Sequence, residues 1–126
     1  MGRIYKGKGF EVSEYKPDAW VIVRFTNNGV VTDKVLAGWY GGYGGSDSWK
    51  ASSGIVYIEE TDNEYLVYNH SGSIYTCHKE TERMTGLMGS MYESWATQIA
   101  ALPEPRPTME LIEISTILEK YYELRD

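Results

Sequence analysis

The sequence predicts an α+β fold: an N-terminal antiparallel β-sheet of five to six strands followed by two C-terminal helices packed on one face. Two observations carry this expectation. Residues 1–80 run as short β-branched or aromatic stretches separated by Gly, Asn, Asp and Ser, with no helical period. After Lys79 apolar residues recur at helical spacing instead. A chain of 126 residues suits one domain, 1–126, with a sheet part at 1–80 and a two-helix part at 81–126.

The elements follow in order. Phe10 to Tyr15 alternates weakly before Lys16-Pro17-Asp18 breaks the run. Trp20 to Thr26 is the strongest strand, dense in aromatic and β-branched residues. Asn27-Asn28-Gly29 is a hairpin signal, because Asn and Gly tolerate the positive φ of primed turns, and Val30 to Ala37 is the return strand. Ile55 to Ile58 and Tyr65 to Tyr68 flank the turn Thr61-Asp62-Asn63-Glu64, and Ser71-Gly72 leads into Ser73 to His78, completing a three-stranded meander. Met84, Leu87, Met88, Met91, Trp95, Ile99 and Leu102 then fall on one face of a helix. Pro103, Pro105 and Pro107 end it, since proline lacks the amide donor. Thr108 is expected to cap a second helix, whose apolar stripe from Met109 to Leu124 is wider than one partner face needs. That excess predicts a homo-oligomer, dimer or higher.

Composition narrows the function. Apolar residues at 42% and charged residues at 24% allow a core, so the chain is not disordered by composition. Aromatics at 13% and 13 Gly against 4 Pro suit strands, tight turns and contact surfaces. A net charge of −6 lacks the broad basic footprint of a duplex nucleic-acid binder, so an anionic ligand has to be held locally. One cysteine, Cys77, cannot close an internal disulfide, which points to a reducing compartment. With no apolar leader at Met1 to Lys6 and no run of eighteen apolar residues, a cytoplasmic protein without membrane contact is expected.

Gly38-Trp39-Tyr40-Gly41-Gly42-Tyr43-Gly44-Gly45-Ser46-Asp47-Ser48-Trp49 is the most distinctive segment. Its glycines leave amides able to face an anion and its aromatics can stack on a base, although the same residues also suit a loop folded back on the sheet. It has neither the spacing of a nucleoside-triphosphate loop nor that of the dinucleotide fingerprint. Asn69-His70-Ser71-Gly72-Ser73 reads as a small phosphate nest or as a hairpin turn of side-chain-to-backbone bonds. Thr85-Gly86 and Gly89-Ser90 are anion contacts or, more simply, small residues that allow close helix packing. Arg24, inside an apolar strand, faces solvent, pairs with a carboxylate or lines a polar cavity. Arg83, Arg106 and Arg125 read as surface residues, any of which could complete a phosphate pocket across a subunit boundary.

Catalysis has little support. Cys77 and His78 are neighbours on a strand, so their side chains leave opposite faces and cannot act as a dyad. His70, Cys77 and His78 lack the paired spacing of a zinc site, and Glu59-Glu60 alternates across its strand. No metal, no cofactor and no enzymatic activity are expected.

Trp49-Lys50-Ala51-Ser52-Ser53-Gly54-Ile55, Tyr65 to Tyr68, Ser71-Gly72-Ser73-Ile74-Tyr75-Thr76-Cys77-His78-Lys79 and Met84-Thr85-Gly86-Leu87-Met88-Gly89 resemble small proteins of phages that infect Gram-positive bacteria. Length, the order of strands then two helices, and acidity resemble the phage anti-Thoeris sponge family, Thoeris inhibitors that sequester the cyclic ADP-ribose signal of bacterial immunity. The resemblance implies a homo-oligomer that holds the signal between subunits without cleaving it, in the cytoplasm of an infected cell, and assigns no ligand residue by position. The residues themselves suggest Trp39, Tyr40 and Tyr43 as a stack, Arg24 with Ser71, Gly72 and Ser73 as anion contacts, and Tyr75, Arg83 and Arg125 as further ligand contacts. Non-enzymatic sequestration of a small cyclic nucleotide is therefore the leading expectation. The alternative is a phage inhibitor, such as an anti-CRISPR, that acts by protein contact through an acidic helical surface bearing Glu110, Glu113 and Glu123.

Overall fold

The computed structural model describes residues 13–123, so Phe10 to Val12, Leu124 and Arg125 lie outside the described residues. The elements are β1 (Glu14–Tyr15), β2 (Ala19–Asn27), β3 (Val30–Trp39), β4 (Ser48–Ala51), β5 (Ile55–Glu60), β6 (Glu64–Asn69), β7 (Ile74–His78), α1 (Gly86–Ala100), β8 (Thr108–Ile112) and α2 (Leu118–Glu123). β2 sends Trp20 and Ile22 to one face and Ala19 and Val23 to the other, and all four are at most 1% exposed. A strand buried on both faces needs a layer on each side.

Those layers correct the predicted architecture. The fold is mixed α+β, but the single sheet of five to six strands is replaced by two four-stranded sheets, ordered β1-β7-β6-β5 and β4-β3-β2-β8. Trp20, Ile22, Val35 and Ala37 of the second sheet meet Ile58, Val67, Tyr75 and Cys77 of the first in one core between the sheets. With helices on one face only, half of the apolar side chains of β2 and β3 would be wet. The sheets are also not wholly antiparallel, because β1 pairs parallel to β7.

The turns follow their predicted chemistry. Asn27 pairs with Val30 across a two-residue turn in which Asn28 and Gly29 have φ of 53° and 80°. The β5–β6 turn is closed by Thr61, whose amide donates to the Glu64 carbonyl at 2.9 Å and whose Oγ1 accepts from the Glu64 amide at 3.0 Å. Gly72, at φ 95°, turns β6 into β7.

α1 lies on the outer face of the second sheet. Thr85 caps it by accepting from the Met88 amide at 3.2 Å, and Met88 is fully buried against β3. The close approach depends on Gly38, where an added Cβ would sit 2.5 Å from Met88 Sδ and 3.1 Å from Thr85 Oγ1. By contrast, nothing crowds Gly86 or Gly89, so the small residue that lets the helix dock is on the strand and not on the helix. Gly38→Ala is expected to cost about 1–3 kcal/mol by overpacking. In a Met88→Ala background the same change should cost far less, which urea melts of the four proteins would measure.

The predicted second helix is mostly something else. Thr108–Ile112 is β8, paired antiparallel to β2 from Thr26↔Thr108 to Ile22↔Ile112; Ile114–Thr116 is a 3-10 turn, and only Leu118–Glu123 is α-helical. Alternation explains the over-wide stripe: Met109 joins the outer core under α1, while Ile112, Ile114, Ile117 and Tyr121 join the inner one. Two cores within one chain thus account for apolar surface that seemed to require a second subunit. The two helices do not share a face either, since α2 packs against β5 of the first sheet.

Candidate functional site

Four predicted ligand residues come together at one end of the first sheet. Ser71, Gly72, Ser73 and Tyr75 line a cavity of 270 Å³ with Ser13, Tyr15, Lys50, Ala51, Ser52 and Ser53. The β6–β7 turn, β1 and the β4–β5 connection supply them. Lys50 Nζ lies 5.2 Å from the centre of the Tyr15 ring, and among the described residues no carboxylate pairs with it. Tyr15 in turn packs 4.9 Å from Tyr75 and edge-on to Trp39 at 6.4 Å.

The hydroxyls divide into structural and available ones. Ser52 Oγ accepts from the Val35 amide at 2.9 Å and donates to the Ser53 carbonyl at 2.6 Å, which ties the β4–β5 connection to β3. Ser71 Oγ and Ser73 Oγ are 3.2 Å apart at the turn surface, and Ser73 Oγ also accepts from Asn69 Nδ2 at 3.3 Å, which leaves the Ser71 hydroxyl the more available of the two. The predicted amide nest is not formed there: the Ser71 amide donates to Ser53 Oγ at 3.0 Å and the Gly72 amide to the Asn69 carbonyl at 2.8 Å. Beneath the turn, Asn69 is 3% exposed and donates from Nδ2 to the Val67 and Ser73 carbonyls, while its Oδ1 has no hydrogen-bond partner among the described residues. Tyr75 is 1% exposed, and burial, with smaller contributions from Tyr15 and Cys77, pushes its phenol up to about 12, so it is a neutral wall at physiological pH.

The glycine-rich segment does not join this cavity as a ligand loop. Two of its amides are already occupied by carboxylates: Tyr40 N–H donates to Asp18 Oδ2 and Gly41 N–H to Asp47 Oδ1, both at 2.9 Å. An incoming anion would meet those charges. Tyr43 is fully exposed at the tip and Tyr40 is half exposed, whereas Trp39 is fastened by its indole N–H to the Lys16 carbonyl at 3.0 Å. Trp49 belongs to β4, is half-buried and packs edge-on against Trp95 at 5.6 Å on the outer core, outside the lining of this cavity.

Arg24 is also placed elsewhere, in the second of the three roles open to it. Its Nε and Nη2 donate to the two oxygens of Asp33 at 2.8 and 3.1 Å, and Tyr121 Oη donates to Asp33 Oδ2 at 2.5 Å. The Asp33 side chain is wholly buried, and Lys120 Nζ stands 3.7 Å away. Burial pushes the Asp33 carboxyl up, but the hydrogen bonds from Arg24 and Tyr121 and the charges of Arg24 and Lys120 outweigh it and hold it below the usual carboxylate range. Arg24 is raised, chiefly by the bond to Asp33, and Tyr121 is raised by burial and by the same carboxylate. This cluster clamps α2 onto the second sheet.

Arg83 is exposed before α1, and Arg125 lies outside the described residues. Cys77 is buried and His78 exposed, as alternation requires, with His78 Nδ1 accepting from the Glu80 amide at 3.1 Å. Glu110 sits on β8, Glu113 precedes the 3-10 turn and Glu123 ends α2, so the acidic helix that would carry all three is absent among the described residues. No helix among them is long and apolar enough to cross a membrane, and no cluster of three His, Cys, Asp or Glu there could hold a metal ion.

Lys50, Ser13 and Ser53 were not singled out from the sequence. For Lys50 and Ser53 the signal was Trp49-Lys50-Ala51-Ser52-Ser53, a cation beside two hydroxyls, but its meaning depends on β4 being a strand. The fold and site define a two-sheet α+β protein with a helix on its outer face and a small hydroxyl-rich pocket in which Lys50 is the cation among the described residues. No protein-family model, curated protein or solved structure matches this chain.

Proposed function

We propose that this protein is a non-enzymatic binder that captures a small phosphate- and sugar-bearing ligand, of the cyclic ADP-ribose type, as a phage anti-defence sponge does. The observation that supports this reading is the convergence of Lys50 with Ser13, Ser53, Ser71 and Ser73 beside the Tyr15–Tyr75 pair. An ammonium and several hydroxyls are the groups a phosphoribosyl moiety needs, and among the described residues no carboxylate lines the pocket. At about 30 Å³ per water-sized volume, 270 Å³ accommodates a phosphate with part of a sugar and not a whole cyclic dinucleotide-sized molecule. A second copy of the chain supplies the remaining wall in this proposal, which keeps the homo-oligomer expected from the sequence on different grounds.

The test is calorimetric titration with the cyclic ADP-ribose isomers, ribose 5-phosphate and inorganic phosphate, followed by chromatography of the released ligand. Stoichiometric capture of intact ligand is expected, and Lys50→Gln should weaken it about tenfold or more by removing a charge-assisted contact. No heat with any of these, or a degraded ligand, would overturn the reading. Native mass spectrometry of the same samples reports subunit number and bound mass together.

A further inference from the structure

A second cavity, on the opposite side of the second sheet from the inner core, has different chemistry. It encloses 430 Å³ between the C-terminal half of α1 and the outer face of β2 and β3. Gly38 lets Met88 press onto the sheet at the start of α1, and further along Trp95 stands between helix and sheet, edge-on to Phe25 at 6.2 Å and to Trp49 at 5.6 Å. The walls of the gap are Val23, Phe25, Leu36, Trp95, Ile99 and Leu102.

Among the described residues one charged group faces this apolar space. Lys34 occupies the outward position between Asp33 and Val35, which face the inner core, and its Nζ lies 5.7 Å from the centre of the Phe25 ring. Among the described residues no carboxylate pairs with Lys34, and no acidic residue lines the cavity in a chain of net charge −6. The remaining polar side chain, Gln98, is turned to Ser94, Nε2 donating to Oγ at 3.2 Å. An unpaired ammonium at the mouth of an apolar pocket selects an anion with an apolar body.

We infer that this cavity is a binding site for a small apolar carboxylate, its hydrocarbon or aryl body lying among Val23, Leu36, Ile99 and Leu102 beside the Trp95–Phe25 pair and its carboxylate on Lys34. The volume corresponds to about fourteen water-sized units, which suits an acid of ten to twelve carbons. The site is independent of the Lys50 pocket and does not rest on its ligand.

Titration with decanoate and decanol below their aggregation limits tests the inference, read by tryptophan fluorescence and calorimetry. Saturable binding of one decanoate per chain is expected, with decanol at least tenfold weaker. Lys34→Gln should bring the two ligands to equal affinity. Ile99→Trp, which fills the gap, should abolish binding of both with the circular dichroism spectrum unchanged; if that variant misfolds, Leu102→Phe at the exposed rim is used for the same reading. Absence of saturable binding, equal affinity for acid and alcohol in the unsubstituted protein, or undiminished binding by the filled variant would each overturn it. So would a sedimentation result in which this face is closed by a second copy and excludes decanoate.

Discussion

Asp33→Ala is expected to lower stability by about 3 kcal/mol, the lower part of the range for breaking a buried ion pair, because Arg24 retains some solvent contact. The loss has two sources: Arg24 keeps its charge without a partner, and Tyr121 keeps a buried hydroxyl with no acceptor. For a chain of this size the melting temperature should fall by roughly 10 °C. Asp33→Leu combined with Arg24→Met and Tyr121→Phe should recover most of it, since replacing a whole buried ionic cluster by apolar groups is close to neutral. A triple variant as unstable as Asp33→Ala would show that the cluster sets geometry and not only charge balance.

The pH dependence has a definite sign. Asp33 has a lowered folded pKa, so its contribution is present above the unfolded carboxylate value near ~4 and is lost as pH falls through the folded value. Glu60, held down by the Lys79 and Tyr122 hydrogen bonds, acts in the same sense, whereas Glu82, raised chiefly by burial, favours the fold at lower pH and opposes them. Subtracting the urea-midpoint profile of Asp33→Asn from that of the unsubstituted protein isolates the Asp33 component, which should vanish in the acid window and be constant above pH ~5.

Trp20→Ala is expected to cost about 3–5 kcal/mol. The side chain is fully buried between the sheets, edge-on to Tyr65 at 6.1 Å, and its indole N–H donates to the His78 carbonyl at the end of β7 at 2.8 Å. It therefore joins the two sheets by packing and by a directed bond. Trp20→Phe, which keeps most of the area and drops the bond, should cost about 1–2 kcal/mol. Amide exchange of Trp20→Ala should show both sheets losing protection together; loss confined to the second sheet would mean that the sheets open independently.

Local chemistry was legible wherever the backbone itself decides. Asn28-Gly29, the Thr61 turn and Gly72 each carry a side-chain or φ requirement confined to a few residues, and the structure places turns at all three. The end of α1 at Ala100, before the prolines, has the same local cause. Thr108 to Ile112 was misread, while Leu118 to Glu123 is helical as expected, because the apolar residues of the first segment satisfy a helical stripe and a strand alternation alike and only pairing with β2 selects the strand. For the site, Ser71, Gly72, Ser73 and Tyr75 were visible as a turn and its following strand, while Lys50 was not, being 21 positions before Ser71 in the chain.

The sequence by itself determined the α+β class, the meander, the two-residue hairpin and the separation of Cys77 from His78, because each follows from spacing along one segment. Tertiary structure alone decided that β2 is covered on both faces, that Arg24 belongs to Asp33 and Tyr121, and that a lysine from β4 meets a serine turn from β6–β7. Those outcomes depend on which surfaces exclude water from one another and on which charges can be paired once they do. Burial and pairing are properties of segments brought together from distant parts of the chain, and no period or motif within one segment encodes them.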